Sequence, residues 1–239
     1  MRLQINNMLL SKQNKAHYDL IKTFLEFLNK KSEIYILKGG TSLMMCYNLN
    51  RFSEDIDLDS ISGNSFFKIV ENFCKNEKLT FRIAKDTTST KRVMIHYIHE
   101  DQERTLKVEL SLRNKLIPSE LHHKINGINV YKIDIIFNLK LNAFLSRDKI
   151  RDLFDLCFIA KNYSEQISDI SELRLCDAFK YKGYDRISYI IDEQKDPLID
   201  KEKLSDEVLN LFEKYSLLDE KEPKQKIKHA NKTTKNLKM

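Results

Sequence analysis

A glycine pair followed by two aspartates on one strand constrains this chain more than any other feature of its sequence. Gly39 and Gly40 break a short apolar run, and the segment 55–58, with Asp55 and Asp57 separated by an isoleucine, follows after one short helix-like stretch. Successive side chains of a β-strand point to opposite faces, so the two aspartates should share one face while the apolar residues beside them enter a core. The sequence therefore predicts a sheet that carries two neighbouring carboxylates next to a glycine turn.

The carboxylate pair predicts a metal site. Two carboxylates held side by side repel each other unless a cation lies between them, and hard oxygen ligands suit Mg²⁺. The natural ligand of such a Mg²⁺ ion is a nucleoside triphosphate (NTP). A solvated strand with no metal is the alternative for Asp55 and Asp57, and the glycine pair upstream favours the functional interpretation. Asp59, the third acid of the series, is expected at the surface near the strand end.

Composition sets the class of protein. The chain has 239 residues with 41% apolar content, enough for one large domain or a domain with a smaller addition. It contains no run of eighteen apolar residues and no apolar segment typical of a secretory signal at its start, so we expect a soluble cytoplasmic protein with no membrane partner. The four cysteines are scattered and lie in apolar stretches, which favours buried free thiols over zinc ligands or disulfides.

The positive charge is concentrated at one end of the chain. Seven lysines and one glutamate between residues 221 and 239 account for the whole formal net charge of +6. Lysines supply sequence-independent affinity for phosphates, so this tail fits an RNA acceptor. A basic, disordered end that is merely solvated has the same composition, and both interpretations stay open.

Periodicity predicts an α+β fold: a mixed β-sheet with flanking helices in the N-terminal half, followed by a helical C-terminal half. Helical spacing covers residues 11–30, a segment from a Thr41 cap to about residue 49, and residues 65–74, 133–161, 168–181, 184–193 and 203–215. Strand-like patterns cover residues 34–37, 51–60, 80–84, 92–99 and 105–112, whereas His122-His123 is expected in a surface turn. The predicted boundaries are 1–132 for a catalytic core, 133–220 for a helical region that completes the site, and 221–239 for the tail.

Two motifs carry a resemblance to a known family. The turn and acid strand together resemble the motif of the nucleotidyltransferase superfamily, whose fold is shared with polymerase-beta-type enzymes. In detail the chain is similar to the AbiEii toxin family of nucleotidyltransferases in four segments spread over residues 34–160: Leu37-Lys38-Gly39-Gly40-Thr41-Ser42-Leu43, Asp55-Ile56-Asp57-Leu58, Lys140-Leu141-Asn142-Ala143 and Arg151-Asp152-Leu153-Phe154-Asp155-Leu156.

The resemblance implies an activity and a set of partners. It implies the nucleotidyltransferase fold and a toxin of a bacterial toxin–antitoxin pair, of the abortive-infection type. Such an enzyme moves a nucleoside monophosphate from an NTP to an acceptor with Mg²⁺ present, and some relatives use tRNA 3′ ends. A cognate antitoxin would be a further partner. The alternative of a different class is a non-catalytic nucleotide-binding or partner-binding module that keeps the fold without turnover.

The resemblance also implies roles for particular residues. Asp55 and Asp57 would hold Mg²⁺, with Glu109 as a third ligand from a neighbouring strand; a plain solvent-facing role for Glu109 is the alternative. Lys140 would bind the triphosphate and Asp152 would orient it, with a structural salt bridge between these two as the alternative.

The remaining implied roles concern the nucleotide. The glycines of the turn would let the backbone approach phosphate oxygens, and neighbouring hydroxyls and charges would complete the contacts. Lys38 would either anchor the turn or contact phosphate, and Asp155 would either contact the nucleotide or pair locally. The nucleotide-binding set is Lys38, Gly39, Gly40, Thr41, Ser42 and Asp155.

Overall fold

The fold is described by a computed structural model that covers residues 3–5, 8–10 and 12–218. The tail predicted for residues 221–239 lies outside this range. None of the helices within it is long and apolar enough to cross a membrane.

A seven-stranded mixed sheet forms the centre of the N-terminal half. A separate antiparallel pair, β1 (Leu3–Ile5) and β2 (Met8–Leu10), precedes it. The sheet has the strand order β5-β6-β7-β4-β3-β9-β8. Its strands are β3 (Ile36–Lys38), β4 (Ile56–Asp59), β5 (Thr80–Asp86), β6 (Thr90–His99), β7 (Gln102–Ser111), β8 (His122–Ile125) and β9 (Ile128–Tyr131). The pairs β4–β7 and β3–β9 are parallel and the others antiparallel, so β3 and β4 lie in the middle.

Eight α-helices accompany the strands in the described residues, with single 3₁₀ turns at Ser119–Leu121 and Ser164–Gln166. The helices are α1 (Lys12–Lys31), α2 (Gly39–Cys46), α3 (Phe66–Glu77), α4 (Ile133–Ser146), α5 (Ile150–Asn162), α6 (Asp169–Lys182), α7 (Tyr184–Glu193) and α8 (Lys201–Lys214). The helices α4 to α8 follow β9, and no strand follows β9 in the described residues. The predicted α+β architecture, with a helical C-terminal half, is confirmed.

The period-two pattern of the central strands separates an apolar face from a polar one. Leu37, Leu58 and Leu110 are neighbours across β3, β4 and β7, and all three are buried. They belong to the same core as the buried sides of α1 and α3, where Phe24 meets Phe73 edge-on at 5.0 Å. Because alternate side chains point to opposite faces, the charged residues of the same strands lie together on the other face.

The C-terminal helices share that core. Phe179 of α6 packs against Phe144 of α4 and Phe212 of α8, with ring centroids 6.3 Å and 5.3 Å apart. The buried apolar residues of both halves form one cluster. The helical half is therefore fixed against the sheet rather than loosely attached.

Three local expectations were wrong. The helix after the turn begins at Gly39, so Thr41 lies inside α2 and does not cap it. The strand of the acid motif begins at Ile56 and not at residue 51, because residues 51–55 form a loop that packs on the turn. His122-His123 lies in β8, the edge strand of the sheet, and not in a turn.

Candidate active site

The glycine turn is shaped by close packing against the acid strand. Gly39 has φ +76°, in the left-handed region that favours glycine, and a Cβ there would lie 2.9 Å from Asp57 Oδ2. A Cβ on Gly40 would lie 2.9 Å from Ser53 Oγ and 3.1 Å from Arg51 Nη2. The backbone therefore favours glycine at position 39 before any ligand is considered, and a side chain at position 40 would displace Ser53 or Arg51.

The hydroxyls after the glycines hold the turn in place. Thr41 Oγ1 donates to the carbonyl oxygen of Asp55, and it shares a hydrogen bond with the hydroxyl of Ser53 at 3.0 Å. Ser42 Oγ donates to the carbonyl oxygen of Gly39 at 2.7 Å. Both side chains are buried. These bonds fix the start of α2 against the acid loop, and contacts from either hydroxyl to phosphate stay a prediction.

A row of four charged residues crosses the polar face. Lys38 of β3 is opposite Asp57 of β4, Asp57 is beside Glu109 of β7, and Glu109 is opposite Arg92 of β6. Arg92 Nε donates to Glu109 Oε2 at 2.7 Å. A second ion pair lies beside this row. Asp55, two residues before Asp57, pairs with Lys107, two residues before Glu109.

Asp57 differs from its neighbours because its carboxylate is unpaired. Within the part of the chain that the structure describes, no hydrogen-bond donor or cation pairs with it. Burial raises the pKa of Asp57, and the charges of Asp55 and Glu109 raise it further against the opposing effects of Lys107 and Lys38. A divalent cation would relieve this unfavourable environment.

The donor set fits a hard divalent cation. Asp55, Asp57 and Glu109 offer only carboxylate oxygens, which Mg²⁺ prefers. No group of three acids, histidines or cysteines in residues 14–218 is already gathered as a metal cage. Asp57 is open, and the ion pair of Asp55 with Lys107 is partly exposed, so Asp55 can be released at small cost. Glu109 stays a predicted third ligand, since Arg92 holds it.

The helical half contributes a buried ion network. Asp155 of α5 is fully buried and accepts from Lys140 Nζ at 2.6 Å and from Arg51 Nη2 at 2.8 Å. Burial alone would raise the pKa of Asp155, but the two cations outweigh it and hold that pKa low. Lys140 also approaches Asp152 at 3.5 Å, as the structural alternative for that pair anticipates. The network joins the loop beside the turn to α4 and α5.

Arg147 is a functional candidate that sequence reasoning missed. It lies between α4 and α5, and its Nε donates to Asp152 Oδ2 at 2.7 Å. The hydrogen bond to Asp152 and the charge of Asp57 both raise the pKa of Arg147, so its guanidinium lies within electrostatic range of the acid strand. It follows α4 with an extended backbone, so no helical spacing in the sequence marked its position.

Asp59 was expected at the surface, and this was wrong. Its side chain is 4% exposed and accepts from Lys38 Nζ at 2.5 Å, from Tyr131 at 3.1 Å and from Asn114 at 3.3 Å. The partners come from β3, β9 and the loop after β7. Because these elements are distant in sequence, no local pattern marked Asp59 as buried.

Comparison with known proteins identifies relatives in sequence and in fold. Residues 25–229 match the family model described as nucleotidyl transferase AbiEii toxin, type IV toxin–antitoxin system. The crystal structure of JHP933 from Helicobacter pylori is 32% identical with a TM-score of 0.72, over 87% of this chain and 95% of that one. A candidate nucleotidyltransferase from H. pylori is 31% identical with a TM-score of 0.71, over 89% of this chain and all of that one. A search of the curated proteins gives no significant match.

Proposed function

Because the chain belongs to the AbiEii nucleotidyl transferase toxin family, we propose that it transfers a nucleoside monophosphate from an NTP to an acceptor, with Mg²⁺ held by Asp55 and Asp57. The observation that carries this proposal is the unpaired carboxylate of Asp57, packed beside the Gly39 turn. Asp57 is half-buried beside the carboxylates of Asp55 and Glu109, where an aspartate with only a structural role would normally be paired. An aspartate that binds a cation is open in the absence of the cation.

The residues around Asp57 have distinct roles in the proposed reaction. The first N–H groups of α2 meet the phosphates at the turn. Arg147, with a side chain 58% exposed, is better placed than Lys140, at 11%, to meet the triphosphate directly. Asp152 holds Arg147 in position, and a direct contact of Lys140 with phosphate stays a prediction.

The reaction itself is a displacement at the α-phosphorus. The acceptor oxygen forms a bond to that phosphorus while the bond to the β-phosphate oxygen breaks, so pyrophosphate leaves and the acceptor proton passes to water. A bound Mg²⁺ supplies positive charge that stabilises the leaving pyrophosphate. The contribution of the chain is to hold the carboxylates on β4 and the loop before it, on a rigid sheet, which fixes the geometry of the displacement.

An RNA acceptor, for instance a tRNA 3′ end, is the finer part of the proposal. A cleft of about 410 Å³ next to Asp152 is lined by four cationic side chains and two acidic ones. Both acids are already paired, Asp152 with Arg147 and Asp196 with Arg151. The cleft therefore keeps an excess of positive charge beside the proposed site, which suits a polyanion. A cognate antitoxin that opposes the activity follows from the family.

A second candidate function has its own supporting observation. Asp55 and Glu109 are held by Lys107 and Arg92, an arrangement that also suits a protein that keeps the fold and binds nucleotide without turnover. Release of pyrophosphate distinguishes the two candidate functions. A transferase releases pyrophosphate, whereas a binding module only shifts its melting temperature with nucleotide.

The experiment is a labelling survey with purified wild-type protein. Each α-labelled NTP is incubated with total cellular RNA and Mg²⁺, and label in RNA and protein is resolved on gels while pyrophosphate is measured. We expect label in a defined RNA band with one preferred NTP and matching pyrophosphate release. Label in a protein band would contradict the proposal of an RNA acceptor. Nucleotide binding without release of pyrophosphate would favour the non-catalytic binding module.

A further inference from the structure

Lys38 does not make the ion pair that its position favours. It is directly opposite Asp57 across the antiparallel pair β3–β4, and opposite charges at such positions normally attract. In the described residues its ion pair is instead with Asp59, two positions further along β4, where Lys38 Nζ lies 2.5 Å from Asp59 Oδ1. The ammonium is thus directed along the strand and away from its direct neighbour.

Asp59 is itself firmly held. Its second carboxylate oxygen accepts from Tyr131 at 3.1 Å and from Asn114 at 3.3 Å. These donors come from β9 and from the loop after β7, so the carboxylate is fixed from two sides. A buried carboxylate with all of its partners in place is costly to move, because any shift leaves polar groups without hydrogen bonds.

The three ion pairs of the polar face differ in exposure. The side chains of the Lys107–Asp55 pair are 32% and 44% exposed and those of the Arg92–Glu109 pair 37% and 26%. Those of Lys38 and Asp59 are 23% and 4% exposed. Exposed pairs exchange easily with water and ions, whereas a buried pair persists. Lys38 is therefore the cation whose placement is fixed.

We propose that Asp59 is a positioning residue that holds Lys38 away from Asp57 and thereby keeps Asp57 open to a divalent cation. This inference rests on the proposed role of Asp57 as a metal ligand. Without Asp59, the Lys38 ammonium would move to its direct cross-strand neighbour and occupy the carboxylate that the cation needs. Asp59 acts through Lys38 and does not contact the cation.

The test measures binding of Mn²⁺ alone, with no nucleotide, by calorimetric titration of the full chain. We expect Asp59→Asn to weaken Mn²⁺ binding by about 10- to 100-fold, the usual effect of losing a residue that supports a metal ligand. Adding Lys38→Met in the same protein should restore wild-type affinity, because no ammonium is left to compete. Lys124→Met, which removes an exposed ammonium paired with Glu33, is the matched control and should change nothing.

Restored Mn²⁺ affinity in the double variant would distinguish a positioning role of Asp59 from a purely structural one. If Asp59 only stabilised the fold, the double variant would bind Mn²⁺ as weakly as Asp59→Asn or more weakly, and this would overturn the inference. If Asp59→Asn does not fold, the Mn²⁺ titration of the single variant Lys38→Met tests the inference instead. We expect it to bind Mn²⁺ close to wild type, and a tightening of about tenfold or more would show that Lys38 already competes for Asp57, against the inference.

The same titration distinguishes this inference from the proposed function. A wild-type protein that binds no Mn²⁺ would overturn both the metal assignment and the role of Asp59. A wild-type protein that binds Mn²⁺, with Asp59→Asn binding equally well, would overturn the role of Asp59 only.

Discussion

At the scale of single residues, the buried Asp155 and the half-buried Asp57 show how the chain separates structure from function. Asp155 has two cationic partners, Lys140 and Arg51, which hold its pKa low despite complete burial. Asp57 has no partner within the described residues, and burial raises its pKa. Asp155 thus stabilises the fold, whereas the ionised carboxylate of Asp57 has a free-energy cost that no partner offsets. Carboxylates with such a raised pKa are typical of functional sites.

The raised pKa of Asp57 predicts an unusual stability effect. A carboxyl whose pKa is higher in the folded state destabilises the fold once the pH exceeds its ordinary value of 3.8, and stability falls as the pH rises through the raised value. In metal-free buffer at neutral pH, Asp57→Asn should therefore raise the melting temperature, and the gain should vanish in acid below pH 3.8. Thermal unfolding across pH checks this, and a lower midpoint for Asp57→Asn at neutral pH would contradict it.

Several site residues could not be predicted from the sequence. The turn, Asp55 and Asp57 were identifiable because their spacing within a short segment of sequence is a local property, although Asp55 lies in the loop before β4 and not on the strand. Arg147 and Asp59 were not, because their roles depend on contacts between segments distant in the chain. Lys107 and Arg92 likewise became visible only when the register of β6 and β7 against β4 was known.

At the scale of elements, long periodic segments were predictable and short paired ones were not. The apolar period of α1 gave nearly its observed bounds, and the strand-like patterns at 92–99 and 105–112 predicted most of β6 and β7. The β8–β9 hairpin has four residues in each strand, and its place in the sheet depends on the parallel contact of Leu37 with Val130. Tertiary pairing decides such elements more than local sequence does.

The turn between β3 and α2 gives an element-scale prediction. Gly39→Ala should destabilise the fold by more than the ~1–2 kcal/mol of a left-handed residue alone, because the new Cβ also meets Asp57. Gly127→Ala, in the turn between β8 and β9, is the control, with φ +81° and no atom within 4 Å of its added Cβ. Urea unfolding of both variants measures the difference. Equal losses would show that the packing of Gly39 on Asp57 adds nothing.

At the scale of the whole molecule, the proposed site lies where the polar face of the sheet meets the helical half. The apolar face and the inner sides of the C-terminal helices build one core, which holds the two halves in register. The charge of Asp57 then acts on Arg147 although ninety residues of chain separate them. The fold class and the order of the helices could be predicted from the sequence. The proximity of Arg147 to Asp57 could not, because it depends on how the two halves pack.

The net charge gives a prediction for the whole chain. Deleting residues 221–239 removes the entire formal charge excess and few apolar residues, so stability and NTP binding should be unchanged. If the tail binds a single-stranded RNA acceptor, the deletion should weaken RNA binding and flatten its dependence on salt, by about 0.7 in the logarithmic slope for each phosphate that the tail neutralises. Filter binding across salt concentrations measures this. An unchanged slope would assign RNA binding to the remaining residues.

The central claim is that Asp57 is a metal ligand of a nucleotidyltransferase, and label transfer by Asp57→Ala tests it most directly. Asp206→Ala is the matched control, because it removes the same carboxylate from an exposed position on α8. With both variants shown to be folded and at equal concentration, we expect Asp57→Ala to transfer no label from NTP and Asp206→Ala to transfer it at the wild-type rate. Wild-type transfer by Asp57→Ala would contradict the account.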